Sequence, residues 1–232
     1  MHRRSTTTAV LALTALTLIT LPGCSTSAPS PAPTTRTAEP EAASANSKPG
    51  KVLTTEQLRE RLLNEADLGQ GYTRKPERNS GRDDVTVIGC PALEKLGGDA
   101  AAGGSLDFPN RAKAAFTYTG SADSEVSQEL YSDTGTRLSA GTGRIFDAMV
   151  SCPVYQVVVG NTPVKVQTQK LTAPALGDEQ WSQLITSTTG GRSSIVKQTA
   201  IRTGTLLVIV SGSPGLVDTH VEKALGKAGS PS

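Results

Sequence analysis

Aromatic residues and net charge are both scarce in this sequence. Phenylalanine, tryptophan and tyrosine make up only 3% of the 232 residues, and tryptophan occurs once. Proteins that bind single-stranded nucleic acid stack the bases on several aromatic side chains, so this composition argues against that function. The formal charge is +2, and removing Arg3 and Arg4 with residues 1–23 leaves 21 basic and 21 acidic side chains. A neutral chain has no long-range field to attract nucleic acid, so we expect no nucleic-acid partner.

Histidine is rarer still, and its scarcity excludes several kinds of site. Only His2 and His220 occur, and a zinc site needs three or four ligands, so we predict no metal site. The sequence contains no Gly-x-Ser-x-Gly nucleophile elbow, and a catalytic triad would have to use His220 as its base. A surface or half-buried helical histidine is the favoured interpretation of His220. We therefore predict no catalytic residues, no cofactor and no enzymatic activity, although a hydrolase is kept as the least favoured alternative.

The main apolar run is too short to cross a membrane. It extends over 13 residues from Ala9 to Leu21, whereas a spanning helix needs about 20. Together with the basic start, this pattern is typical of an export signal, and we assign residues 1–23 to a signal peptide. Export by the Sec route is favoured over the twin-arginine route, because the polar Ser5-Thr6-Thr7 follows the two arginines.

The run ends in Leu21-Pro22-Gly23-Cys24, which resembles the lipobox of bacterial lipoproteins. That resemblance implies cleavage before Cys24 and attachment of diacylglycerol to its thiol, with further acylation such as palmitate. Pro22 departs from the small residue that is usual at its position. The alternative is an ordinary secreted protein in which Cys24 lies near the cleavage site by chance. We expect a lipid-anchored protein on the outer face of the cytoplasmic membrane, because two or more acyl chains give stable anchoring.

Residues 24–50 are predicted to be a lipidated cysteine followed by a disordered tether. The segment Ser25–Gly50 is rich in serine, threonine and alanine, and contains five prolines and no aromatic residue. Such a segment buries too little apolar area to offset the entropy lost on ordering. We interpret it as a spacer that separates a folded domain, residues 51–232, from the membrane.

The periodicity of residues 51–232 predicts a single α+β domain, an antiparallel sheet with packed helices. Thr54 and Gln57 form a capping box for a helix that continues to Gly69. Further helices are predicted over Pro91–Leu96, Arg137–Val150 and Leu216–Lys227. Strands are predicted over Val85–Ile88, Ala114–Thr119, Glu125–Ser132, Tyr155–Gly160, Val164–Leu171, Trp181–Ser187, Ile195–Arg202 and Thr205–Val210. The last strand is apolar on both faces, as is typical of a central strand covered by helices.

The three cysteines fall into two groups: Cys24 at the end of the apolar run, and Cys90 with Cys152 in the predicted domain. If Cys24 carries lipid, Cys90 and Cys152 are the only pair in an exported domain, and a disulfide between them is expected. This disulfide would tie the helix that begins at Pro91 to the end of the helix Arg137–Val150. A redox or metal role would need Cys-x-x-Cys spacing or more ligands, so we predict a structural role.

Four short segments and Trp181 are further candidates for a functional role. Neither Asp83-Asp84 nor Asp178-Glu179 offers converging carboxylates, because adjacent strand residues point to opposite faces, and we interpret both pairs as turn residues. Gly141-Thr142-Gly143 lies within a predicted helix and lacks the third glycine of a dinucleotide site, so that function is rejected. The basic segment 74–78 is interpreted as a solvated loop, with phosphate or partner binding as the alternative. Trp181 is favoured as a core residue over a pocket wall.

Several short motifs resemble a known family. They are Leu62-Leu63 with Ala66-Asp67-Leu68 and Gly71-Tyr72, Cys90-Pro91-Ala92-Leu93, Cys152-Pro153, Leu176-Gly177-Asp178-Glu179, and the terminal strands with their helix. Together they resemble the sensor-domain lipoproteins of actinobacteria, which are similar to the extracellular domain of the mycobacterial Ser/Thr kinase PknH. The resemblance covers about residues 55–228. It implies an α+β domain with a cleft, a ligand-sensing role and no catalysis. The kinase has a second disulfide, for which this chain has no cysteines.

The function predicted from these observations is that of a membrane-anchored extracellular lipoprotein with a non-catalytic, ligand-binding or sensor-like domain. Its partners would be the membrane, through the lipid on Cys24, and a small molecule, an envelope component or a protein. The alternative is a protein-interaction or scaffolding lipoprotein of the cell envelope. The sequence names no ligand-binding residues.

Overall fold

Strand-forming runs separated by turns build a nine-stranded antiparallel sheet. The computed structural model describes residues 50–76, 85–97, 106–121 and 124–230. Within these ranges the strands are β1 (Tyr72–Arg74), β2 (Val85–Ile88), β3 (Asn110–Tyr118), β4 (Ser124–Ser132), β5 (Val154–Val159), β6 (Thr162–Lys170), β7 (Glu179–Thr189), β8 (Arg192–Thr203) and β9 (Leu206–Gly212). Their order across the sheet is β1-β3-β4-β9-β8-β7-β6-β5-β2, and all neighbouring strands are antiparallel.

Helices cover parts of both faces of this sheet. In the described ranges they are α1 (Thr55–Glu60), α2 (Glu65–Leu68), α3 (Pro91–Glu94), α4 (Gly135–Ser151) and α5 (Pro214–Gly229). The predicted α+β class with one disulfide is confirmed. Each of these helices is too short or too polar to cross a membrane.

The central strand β9 shows how the two faces differ. Val208 packs in a first core with Val217 and Val221 of α5, together with residues of α1. Leu207 and Ile209 lie in a different core with Leu138 and Phe146 of α4. Because successive strand residues point to opposite faces, α5 and α4 cover opposite faces of the sheet. All five residues from Leu206 to Val210 are buried, which confirms the prediction of a central strand covered by helices.

The prediction of one helix from Thr54 to Gly69 is wrong. The capping box at Thr54 forms as predicted, with the Thr54 N–H donating to Gln57 Oε1 at 3.0 Å and the Gln57 N–H donating to Thr54 Oγ1 at 3.3 Å. However, α1 ends at Glu60, and Asn64 adopts an extended conformation at φ −128°. Asn64 begins α2 through a second capping box with Asp67, with N–H···O distances of 2.8 and 3.0 Å. A second strong N-cap thus interrupts the apolar repeat of a single helix.

The disulfide fastens one end of the sheet to α4. Cys90 and Cys152 are bonded, with their Cα atoms 5.6 Å apart. Cys90 directly precedes α3, and Cys152 directly follows α4, as the sequence predicted. The bond lies in a second core with Met149 and Val157, so it joins α3 and α4 over the β2–β5 edge of the sheet.

Candidate functional site

A cleft of about 410 Å³ lies between α4 and the adjacent ends of β6 and β7. Helix α4 contributes one wall, and the connection that leaves β6 contributes the other. The lining residues are Phe146, Asp147, Val150, Lys170, Leu171, Thr172, Ala173, Gln180, Trp181 and Ser182. The lining combines aromatic and aliphatic side chains with polar and charged ones, and its volume lies within the range of small-molecule sites.

Trp181, the single tryptophan of the chain, lines this cleft from β7. Strand alternation directs it toward α4, where its ring centroid lies 6.2 Å from that of Phe146. A Cβ atom added at Gly143 would lie 4.0 Å from the indole Nε1, so α4 approaches the indole closely. Trp181 is half-buried: it packs on the α4 core and also lines the cleft. The preferred prediction of a core residue therefore describes only part of its position.

Two charged side chains of the cleft lack partners among the described residues. Asp147 projects from α4, and Lys170 ends β6; both are exposed. No ion pair or hydrogen bond joins either side chain to another residue in the described ranges. The cleft therefore presents one acidic and one basic group on separate elements.

Asp178 and Glu179 hold the segment that leads from the cleft into β7. Contrary to prediction, both carboxylates converge, on the guanidinium of Arg202 in β8. The Arg202 Nε–H donates to Glu179 Oε2 at 3.0 Å, and Nη1–H donates to Asp178 Oδ2 at 3.1 Å. Asp178 precedes the strand, so strand alternation does not govern its direction, and register places Glu179 opposite Arg202.

Further hydrogen bonds hold the Asp178 and Glu179 carboxylates in place. The Gly204 N–H donates to Asp178 Oδ2 at 2.7 Å, and Ser139 of α4 donates its hydroxyl hydrogen to Glu179 Oε1 at 3.0 Å. Hydrogen bonding from Arg202 holds the pKa of Glu179 below its ordinary value. Gly177 has φ +68°, and a Cβ there would lie 2.5 Å from the carbonyl oxygen of Arg202, so only glycine fits. The motif Leu176-Gly177-Asp178-Glu179 is thus a structural clamp.

The rejected Gly141-Thr142-Gly143 motif lies inside α4, as predicted. A Cβ at Gly141 would approach the Phe108 ring to 2.7 Å. The glycine therefore lets Phe108 pack against the helix, and the role of this position is packing.

His220 is buried and lies away from the cleft. It belongs to α5, on the opposite face of the sheet, and only 6% of the residue is exposed, less than predicted. Its Nε2 lies 2.7 Å from the Tyr72 hydroxyl oxygen. Burial, with a smaller contribution from nearby Lys223, lowers the pKa of His220. This geometry gives His220 a packing role, and neither it nor Asp178 lines the cleft.

The remaining candidates are accounted for only in part. In the basic segment, Arg74 lies over the Phe116 ring at 5.9 Å, and Lys75 pairs with Glu125. Residues 77 and 78 of that segment, the pair Asp83-Asp84 and the lipidation candidate Cys24 lie outside the described residues. Within the described ranges, no cluster of three or more His, Cys, Asp or Glu side chains is arranged to hold a metal ion.

The fold of this chain is similar to that of a known extracellular domain. The chain is similar to the extracellular domain of PknH from Mycobacterium tuberculosis, with a TM-score of 0.57 and 15% identity over 77% of this chain and 97% of that domain. An uncharacterized protein from Mycobacterium smegmatis is also similar, with a TM-score of 0.38 and 11% identity over 69% of this chain and 90% of that one. No family model and no curated protein sequence matches the chain. The expected likeness to the PknH domain is confirmed, and it shows the fold.

Proposed function

We propose that the protein is an extracellular lipoprotein, anchored through lipid on Cys24, whose domain binds a small ligand in the Trp181 cleft without catalysis. The cleft carries this proposal. It exposes the one tryptophan of the chain beside the largely buried Phe146, and Asp147 and Lys170 line its walls without partners among the described residues. Half-exposed aromatic surface and unpaired charges both gain free energy when a complementary ligand replaces water.

Two features support placing the domain outside the cell. The disulfide Cys90–Cys152 requires an oxidising environment to form and persist. The similar domain of PknH is an extracellular domain. The export signal in residues 1–23 and the lipobox-like Leu21–Cys24 supply the route and the anchor.

Trp181 fluorescence tests ligand binding, because no other tryptophan contributes to the signal. The low-molecular-weight fraction of a cell-envelope extract is titrated into the full-length, detergent-solubilised protein. We expect a saturable change in the emission of Trp181, together with a rise in melting temperature. A Trp181→Ala variant should lose the rise in melting temperature. No response in either measurement would contradict the proposal.

The anchor is tested separately by replacing Cys24. We expect mass spectrometry of the wild-type protein to find acyl chains on the N-terminal cysteine, and the Cys24→Ser variant to carry none. Wild-type protein in the medium without lipid would favour the ordinary secreted protein.

A protein-interaction function is the second candidate, and a different surface favours it. Among the described residues, the large hydrophobic side chains that are most exposed are Ile88, Val154 and Ile195, at 50%, 48% and 52%. Strand register places all three on the face opposite α4, where β2 and β5–β8 extend beyond α5. We call this surface the open face. Pull-down from solubilised membranes tests this function: a stoichiometric partner lost in Ile195→Lys but retained in Trp181→Ala would support it.

A further inference from the structure

We infer that the ligand of the Trp181 cleft is a small zwitterion with an apolar group, the chemistry of an amino acid or a short peptide. This inference rests on the proposed function and specifies its ligand class. It depends on the opposite signs of two charges that line the cleft without partners among the described residues, and on the aromatic surface that lines the same cleft.

The two charges of the cleft have opposite signs and lie on separate elements of the same site. Arg202 and Lys197 already pair with carboxylates of the protein, whereas Lys165 and Arg192, which also lack partners in the described ranges, lie outside the cleft. Asp147 and Lys170 have no such partners within the described residues and line the same cleft from α4 and β6. A ligand ammonium at Asp147 and a ligand carboxylate at Lys170 would each gain a charge-assisted hydrogen bond.

The apolar lining selects for a hydrophobic group on the same ligand. Phe146, Val150 and Leu171 line the cleft with the Trp181 indole. An aliphatic or aromatic side chain buried there gains hydrophobic free energy in proportion to the area removed from water. The indole face also attracts an ammonium group through its quadrupole.

Ligands of other charge types fit less well. A polyanion such as a phosphate ester would meet Asp147, and a polycation would meet Lys170. A neutral saccharide would stack on Trp181 but would desolvate both charges without pairing them, which costs free energy. A zwitterion satisfies both charges.

The experiment titrates four forms of one dipeptide, leucyl-alanine, into the full-length protein and follows Trp181 fluorescence. The forms are the free dipeptide, the N-acetylated form, the C-amidated form and the doubly capped form. We expect the free dipeptide to bind most tightly and each cap to weaken binding by about tenfold, the size of one charge-assisted hydrogen bond. In the Asp147→Asn variant the acetyl cap should no longer weaken binding, while the amide cap still does. In the Lys170→Gln variant the amide cap should no longer weaken binding, while the acetyl cap still does.

Matched variants control for general effects of charge. Arg144→Gln removes an exposed charge of α4 one turn from Asp147, and Lys165→Gln removes an exposed charge of β6; neither residue lines the cleft. Both variants should retain the wild-type response to each cap.

Several results would overturn the inference. They are equal binding of capped and free dipeptides, tighter binding of N-acetylglucosamine oligosaccharides with no effect of Asp147→Asn or Lys170→Gln, and no response to any dipeptide. If the envelope extract still changes Trp181 fluorescence in these cases, the proposed function stands and only the ligand class is wrong. If the extract also fails, both fail.

Discussion

The two ends of the sheet are stabilised in different ways. At one end, which we call the body, α1, α2 and α5 cover β3, β4, β8 and β9, and the first core contains 17 buried hydrophobic residues in the described ranges. At the other end, which we call the wing, α3 and the C-terminal part of α4 cover β2, β5 and β6, and the second core contains eight such residues in the part of the chain that the structure describes. The wing has the disulfide, whereas its second face is the open face.

This difference shows how a disulfide can stabilise a region whose hydrophobic core is small. A disulfide that closes a long loop lowers the conformational entropy of the unfolded chain. This stabilises the folded state and so compensates for limited apolar burial. The Trp181 cleft lies where body and wing meet, with one wall from α4 and the other from the ends of β6 and β7. A ligand there would contact elements of both regions.

The largest expected effect comes from removing the disulfide. Replacing Cys90 and Cys152 together by serine frees a loop with a sequence separation of 62 residues. We expect a loss of about 4 kcal/mol in the free energy of unfolding, because the unfolded chain gains entropy. Denaturant unfolding measures the loss, and amide hydrogen exchange should accelerate more in β2 and β5 than in β9. Equal acceleration in β9 would show that wing and body do not differ in this way.

A smaller effect is expected at the junction of the two regions. Arg202→Met removes the clamp on Asp178 and Glu179, and the Arg202 side chain is only 13% exposed. We expect a loss of about 2 kcal/mol in the free energy of unfolding, since hydrogen bonds to charged groups are broken and partly exposed carboxylates remain. Trp181 emission should also change, because the clamp fixes the start of β7.

Arg192→Met is the control for the clamp. It removes an exposed charge at the other end of β8 and should leave both stability and Trp181 emission unchanged. If Arg202→Met also left stability and Trp181 emission unchanged, the clamp would contribute nothing to the free energy of unfolding.

The smallest expected effect is a pH dependence of the free energy of unfolding, which arises from His220 in the body. Burial lowers the folded-state pKa of His220 below its unfolded value of 6.5, so the unfolded state binds the proton more readily. The stability contribution of neutral His220 is therefore fully present above about pH 6.5 and is lost as pH falls through the folded pKa. Unfolding measured between pH 7.5 and about 5 should show this slope in the wild-type protein and a weaker slope in His220→Gln. Identical slopes would exclude His220 as the cause.

Much of the fold could be predicted because it follows from local patterns. The capping box at Thr54, the glycine turns and the apolar run of β9 each depend on neighbouring residues. The pairing of Cys90 with Cys152 followed from the small number of cysteines. The split between α1 and α2 was missed because the repeat of Leu58, Leu62 and Ala66 masked the second N-cap at Asn64.

The site could not be predicted because it depends on long-range register. Trp181 becomes part of a cleft only when α4 packs across β7, and Asp178 meets Arg202 only through the β7–β8 pairing. Nothing in the local sequence around Asp147 or Lys170 distinguishes these residues from other exposed charges. The signal that was available was the uniqueness of Trp181 at the start of a strand.

Hydrogen exchange of the full-length protein, with and without the low-molecular-weight envelope fraction, is the measurement that tests ligand binding in the cleft most directly. Binding at the cleft predicts slower exchange confined to residues 146–150, 170–173 and 180–182. Protection on the open face around Ile88, Val154 and Ile195, or no protection at the cleft, would contradict it.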